Sequence, residues 1–256
     1  MIGLELTREF INVDNPSIDN AMACATSYLA TVNSQDIRSS TSGILYAVIS
    51  NDQHILSQFQ LTRQFANSNF PSASLDFLGR CFGKWGKVWF DMQNSQETVG
   101  VAMELGLIVM ADADTLPRRS AAAFFAAFVG FTGPGTGLEG EAHIRMRSVL
   151  EAFGPQVLSL LLRLLGGDCA RSELESLSET LKRFMQKQPM LTKAVFREAI
   201  KPESGVLTEK ALKATTLEQR NRFVAQIEAL RGARKTNEIV KDFWIACRGS
   251  GFGYIA

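Results

Sequence analysis

The chain has 256 residues, of which 46% are hydrophobic and 21% are charged, and its formal net charge is +1. A chain of this length and composition can bury a large core as one domain or as two packed lobes, so disorder of the whole chain is excluded. Because the net charge is close to zero, the overall charge favours no class of partner.

Helical periodicity and the lack of hairpin signals predict an all-α fold. Along the first half of the chain, residues 1–20 are expected to form an extended arm, a helix follows through Ala30, and the segment ILYAVI at 44–49 is either a buried helix or a strand. Three further helices are predicted there, at Gln53–Phe65, Leu75–Asp91 and Thr98–Ala111. The sequence DADTLP at 112–117 is a break, and we expect two packed helical lobes, 1–115 and 116–256, to meet there.

Helices continue through the second half of the chain. Gly154-Pro155 and Gly166-Gly167 are expected to end two of them, and Ser172 with Glu175 predicts a capping box. The predicted helices are Arg118–Phe131, Glu141–Phe153, Gln156–Leu165, Glu173–Lys187, Thr192–Ile200, one starting at Thr208, Thr216–Arg231 and Asn237–Ala246. The glycine-rich segment 248–256 is a second possible arm.

Several classes of protein are disfavoured by the residues present. The four cysteines are far apart and the only histidines are His54 and His143, so no zinc-site spacing exists and a reducing compartment is expected. The glycine-rich loop at 133–137 lacks the Lys-Ser/Thr of a phosphate-binding loop. Apolar stretches such as 120–131 are shorter than the roughly 20 residues that span a membrane. We therefore expect no enzyme, cofactor, metal or membrane span.

The charge is unevenly distributed along the chain. Residues 1–117 contain 6 Lys/Arg and 12 Asp/Glu, a balance of −6, whereas residues 118–256 contain 21 and 14, a balance of +7. Such asymmetry is typical either of a surface for an anionic partner or of ordinary solvated helices.

The segment RCFGKWGKVWF at 80–90 interleaves basic and aromatic residues, which is how single-stranded nucleic acids are bound through phosphates and stacked bases. On a helix, Arg80, Lys84 and Lys87 share one face and Trp85 lies beside it. A core helix with a solvated basic edge is the alternative. Two more basic groups follow, and each is a candidate for the same groove: Arg118 and Arg119, which oppose the dipole of the helix they begin, and Lys182, Arg183 and Lys187.

The stretch Leu75–Phe131 resembles the core of flexuous filamentous plant-virus coat proteins of the potexvirus type. The resemblance rests on Arg80-Cys81-Phe82 with Trp89, and on the sequence AAAFFAAF at 121–128. It implies a helical subunit that coats RNA, with arms that link neighbours and a groove for single-stranded RNA. The length and charge distribution are also similar to those of negative-strand RNA virus nucleoproteins, which are helical and two-lobed with a basic cleft.

These observations predict a viral nucleocapsid or coat protein, located in the virion and the host cytoplasm. It would bind single-stranded RNA without sequence specificity and form homo-oligomers. The alternative is a helical structural protein of the matrix type that assembles without RNA. The predicted RNA-binding residues are Arg80, Lys84, Trp85, Lys87, Arg118, Arg119, Lys182, Arg183 and Lys187.

Overall fold

A computed structural model describes residues 95–111, 114–133, 137–230 and 234–249, together with ten separate positions between 72 and 90. Of these described residues, 87% are helical and none lies in a strand, which confirms the predicted all-α fold. The predicted arm at 1–20 and the elements predicted before residue 72 lie outside the described residues. Of the second predicted arm, 248–256, the part beyond Gly249 also lies outside them.

The described positions within 72–90 are all helical, and eight α-helices follow in the described part of the chain. They are α1 (Ser95–Ala111), α2 (Thr115–Phe131), α3 (Gly140–Arg163), α4 (Leu174–Lys187), α5 (Pro189–Ala199), α6 (Glu209–Ala214), α7 (Leu217–Leu230) and α8 (Thr236–Arg248). Short helical turns at Leu164–Asp168, Arg171–Glu173 and Pro202–Ser204 connect some of them. Most predicted helices from 98 onward are therefore confirmed within a few residues.

Helix α2 is the centre of the packing, with α1 and α4 against it. Its phenylalanines form a cluster with those of residues 72–90: Phe82 lies 5.4 Å from Phe128 between ring centroids, and Phe90 stacks on Phe131. Aromatic pairs at these distances contribute beyond the area that they bury. The sequence AAAFFAAF is thus largely a core helix, as its apolar composition predicts.

Glycines allow residues 72–90 and α1 to approach α2 closely. A Cβ built on Gly79 would lie 3.4 Å from the Cα of Phe124, and one built on Gly86 would lie 2.5 Å from the ring of Phe131. On α1, a Cβ at Gly106 would lie 2.7 Å from the ring of Phe125. Because a side chain at Gly86 or Gly106 would displace an aromatic ring, the low helix propensity of glycine is offset there by tight helix packing.

A buried ion pair joins the beginnings of α2 and α4. Arg118 donates through Nη1 to both carboxylate oxygens of Glu173, at 3.1 and 3.0 Å, and through Nε to the Met110 carbonyl in the last turn of α1. Glu173 also accepts from the Ala170 amide at 2.6 Å. Both side chains are almost fully buried. The pair therefore fixes three chain segments at one point of the core.

One predicted helix boundary and one predicted helix cap are wrong. Helix α3 continues through Pro155 instead of ending at Gly154. A proline disfavours helical conformation in the preceding residue partly by contact with its Cβ, and Gly154 has none. The start of α4 is set by Glu173, which bonds back to Ala170 through the preceding helical turn, and not by the predicted box of Ser172 and Glu175.

The second half of the chain closes the core around α4. Glycine at position 167, with φ of 104°, turns the chain after α3, and Thr208 caps α6 by accepting from the Ala211 amide, as predicted. Helix α8 packs on α4, α6 and α7, and Phe243 stacks on Phe223 of α7. One continuous cluster of buried residues extends from Leu75 to Cys247 across the predicted lobe boundary. The division into two lobes stays a prediction.

The segment 140–168 is long and apolar enough to span a membrane, with a hydropathy of 1.4 over its most apolar window. Within the protein, 56% of this window is buried, and core helices satisfy the same criteria of length and composition. Its packing against α1 and α5 accounts for its apolar composition without a membrane. The expected absence of a membrane span stays a prediction.

Replacing Arg118 by Met should lower the free energy of unfolding by about 3–5 kcal/mol, because the Glu173 carboxylate would stay buried without its counter-ion. Adding Glu173→Leu should recover part of that loss. Urea unfolding at pH 7 measures both effects. Arg147→Met is the matched control: this arginine pairs with Glu151 on the surface and should cost less than about 1 kcal/mol. Equal losses for Arg118→Met and the control would contradict a stabilising core pair.

The same substitution at two helical glycines should have opposite effects. Gly106→Ala should destabilise the protein by about 1–3 kcal/mol, since its Cβ would overlap the ring of Phe125. Gly130→Ala in α2 should stabilise it by about 0.5–1 kcal/mol, since no atom lies within 4 Å of the new Cβ and alanine favours helix. Thermal or urea unfolding compares them. A stabilising Gly106→Ala would show that α1 and α2 are not in close contact.

Candidate nucleic-acid interface

Residues 72–90, α2 and α4 lie side by side and run in the same direction. Two described glycines of 72–90 meet α2 two turns apart, since Gly79 faces Phe124 and Gly86 faces Phe131. Helix α4 follows α2 in the same sense: Thr180 donates to the Ala122 carbonyl at 2.8 Å, and Gln188 donates to the Thr132 hydroxyl at 3.0 Å. These contacts define a layer of three parallel helical elements with α2 in the middle.

One stripe of α2 is not covered by the layer. Residues facing 72–90 and residues facing α4 lie on two sides of the helix, and at 100° per residue a third side remains between them. That side consists of Arg119, Ala123, Ala126 and Gly130, all exposed or half-buried. The stripe is about 16 Å long at 1.5 Å per residue. Except for Arg119 its side chains are small, so α2 forms the floor of a shallow groove.

Basic side chains of both neighbouring elements lie on the same open side. Arg80 and Lys87, seven residues apart, are exposed on 72–90, and on α4 Arg183 and Lys187 are four residues apart. The contacts between the three helical elements fix which side of each one faces outward. These four side chains and Arg119 therefore lie on one surface. We call this surface the basic face, defined by Arg80, Lys87, Arg119, Arg183 and Lys187.

The charges of the basic face are only partly neutralised. Arg183 pairs with Glu179 at 3.3 Å, and Asp76 is a second acid exposed on that side. Lys187 lies at the end of α2, where its side chain covers Gly133 and its cation is favoured by the helix dipole. Within the described residues, no ion pair to a carboxylate is present for the other members of the face, Arg80, Lys87, Arg119 and Lys187.

The structure brings together five of the nine predicted site residues. The prediction that Arg118 binds RNA is wrong, because its guanidinium is buried against Glu173 and is not available to a phosphate. The anion that neutralises Arg118 is thus a carboxylate of the same chain. Lys182 pairs with Glu179 at the outer edge of α4 and is mostly buried. Lys84 and Trp85 lie outside the described residues.

The sequence did not reveal the floor of the groove. The run AAAFFAAFVGF at 121–131 predicts a fully buried helix, and its apolar composition conceals the exposed stripe. The signal that could have revealed it was the spacing of Arg119, Ala123, Ala126 and Gly130, which places a charged residue and small residues on one side of the helix.

Fewer basic side chains of the second half are available to an anionic partner than its sequence suggests. Many of its basic side chains pair with nearby carboxylates: Arg145, Arg147, Arg163, Lys193, Arg197, Lys201 and Lys213. Apart from the basic face, exposed basic residues that make no ion pair within the described part include Lys210, Arg222, Lys235 and Lys241, on or beside α6, α7 and α8.

Among the described residues, no group of three or more His, Cys, Asp or Glu could hold a metal ion. Cys169 and Cys247 are buried free thiols. Burial raises the pKa of each to about 12, so neither forms a reactive thiolate at neutral pH.

No family model matches the chain, and no curated protein matches it.

Proposed function

We propose that this protein is a helical subunit that binds single-stranded RNA through the basic face and assembles with copies of itself, as a nucleocapsid or coat protein does. The observation that carries the proposal is the convergence of five basic side chains, from three elements, on one exposed surface. Phosphate neutralisation by such side chains supplies affinity without reading the base sequence.

The shape of the groove favours a single strand. Neighbouring helix axes lie about 8–10 Å apart, so the two flanking elements leave a floor one helix wide. A phosphate backbone along the flanking Arg and Lys side chains would leave its bases over Ala123, Ala126 and Gly130. These small residues give a flat, apolar surface that tolerates any base.

Removing the four unpaired charges of the basic face should weaken RNA binding and its dependence on salt. Replacing Arg80, Lys87, Arg119 and Lys187 by Gln should reduce the slope of log K against log salt by about 0.7 for each phosphate that is no longer neutralised, up to about 3. Fluorescence anisotropy with a labelled single-stranded RNA, measured from low to moderate salt, gives the slope.

The matched control replaces four other exposed basic residues by Gln, namely Lys210, Arg222, Lys235 and Lys241. Both variants have four fewer positive charges, so any effect of net charge alone is the same in each. A much smaller change of slope in the control supports the basic face. Equal changes in the two variants would show that RNA binding, if present, is not localised there.

A structural protein that assembles without RNA is the second candidate. The neutralisation of many basic side chains by local ion pairs favours it, because such pairs weaken the positive field. Light scattering coupled to absorbance at 260 and 280 nm distinguishes the two. Under our proposal, purified multimers carry nucleic acid and dissociate after nuclease and high-salt treatment. Multimers with a pure protein spectrum would support the second candidate, and a monomer would contradict both.

A further inference from the structure

Arg220 is a buried arginine whose charge has no partner within the described part of the chain. Its exposed fraction is 3%, and neither Nε nor Nη1 makes a hydrogen bond there. A guanidinium group carries a permanent positive charge in proteins. Burying an unpaired charge strongly destabilises a protein, so a side chain of this kind is normally compensated by an anion.

The guanidinium of Arg220 lies at the beginning of α7. Arg220 is in the first turn, where its amide donates to the Thr216 carbonyl, and helical side chains project toward the N-terminus of their helix. Its charge acts on the Cys247 thiol in the last turn of α8, which also contacts Thr215. The positive group is therefore enclosed between the end of α6, the start of α7 and the end of α8.

The N-terminal turn of α7 adds further donors. Thr216 and Gln219 cap each other, since Thr216 Oγ1 accepts from the Gln219 amide and Gln219 Oε1 accepts from the Thr216 amide. The amides of Leu217 and Glu218 precede the first bond of the helix and have no acceptor within it. The carboxylate of Glu218 is exposed and makes no ion pair with Arg220. The helix dipole adds partial positive charge at the same end.

We propose that Arg220 and the first turn of α7 form a binding site for a compact oxyanion of the phosphate type. The guanidinium would supply two hydrogen bonds in a fixed fork, and the free amides would supply further donors, as at other helix N-termini that bind phosphate. The anion would enter from the side of Thr216 and Leu217, which are exposed. This site is distinct from the basic face and does not depend on RNA binding there.

Thermal unfolding in inorganic phosphate, against sodium chloride of equal ionic strength, tests the site. At ten times the dissociation constant, phosphate should raise the Tm of the unaltered protein and of Arg222→Gln by about 3–6 °C more than that of Arg220→Gln. Arg222 is an exposed arginine on the same helix, and its replacement removes the same charge. Phosphate also stabilises proteins nonspecifically, and the three-way comparison removes that effect. Equal shifts in all three proteins would overturn the proposal.

Calorimetric titration of the unaltered protein with inorganic phosphate keeps the proposal testable if Arg220→Gln does not fold. A saturable signal with one site supports it, and no saturable signal overturns it. If the site binds phosphate, an RNA-binding measurement then distinguishes the two possible sources of the natural anion. A salt slope for RNA binding that falls in Arg220→Gln but not in Arg222→Gln assigns the anion to an RNA phosphate. An unchanged slope assigns it to a free phosphate compound.

Discussion

The buried pair between Arg118 and Glu173 is the constraint on which the described architecture depends. It connects the start of α2 to the turn before α4, and through Met110 it also holds the end of α1. A charge pair removed from water stabilises only if its geometry is good and its other donors and acceptors are satisfied. Here Glu173 also accepts from the Ala170 amide, and Arg118 Nε donates to the Met110 carbonyl.

Anchoring α2 and α4 at their beginnings has a consequence for the surface. The two helices then run in parallel, with further hydrogen bonds at Thr180 and Gln188, and residues 72–90 follow on the other side through their glycines. Three parallel elements leave one side of the middle helix uncovered. The basic face is thus a product of the same contacts that bury the phenylalanine cluster.

The two unusual arginines of this fold illustrate two ways of managing a buried charge. Arg118 is compensated within the chain by Glu173, and its position is structural. Arg220 has no compensating carboxylate among the described residues and lies where a helix N-terminus adds to its positive potential. Since both guanidinium groups are almost fully buried, the difference lies in what each pairs with among the described residues.

The all-α fold and most helix boundaries after residue 98 could be predicted from the sequence. Periodicity, capping residues and glycine turns act locally, so they can be read from neighbouring residues. Local spacing also identified side chains that share one side of a helix, such as Arg80 and Lys87. A helix end was predicted at Gly154 because proline usually ends helices. The prediction was wrong because Gly154 has no Cβ for the proline ring to contact.

Which charged residues are available to a partner depends on the tertiary structure. Arg118 and Arg119 are adjacent in sequence, yet one is buried against Glu173 and the other is exposed in the groove. Their different positions depend on a carboxylate 55 residues away in the chain. Contacts between distant segments also determine three other features. These are the exposed stripe of α2, the pairing of basic residues in α3 and α5, and the isolation of Arg220. Local periodicity carries no information on such contacts, because it records which side of a helix a residue occupies but not what packs against that side.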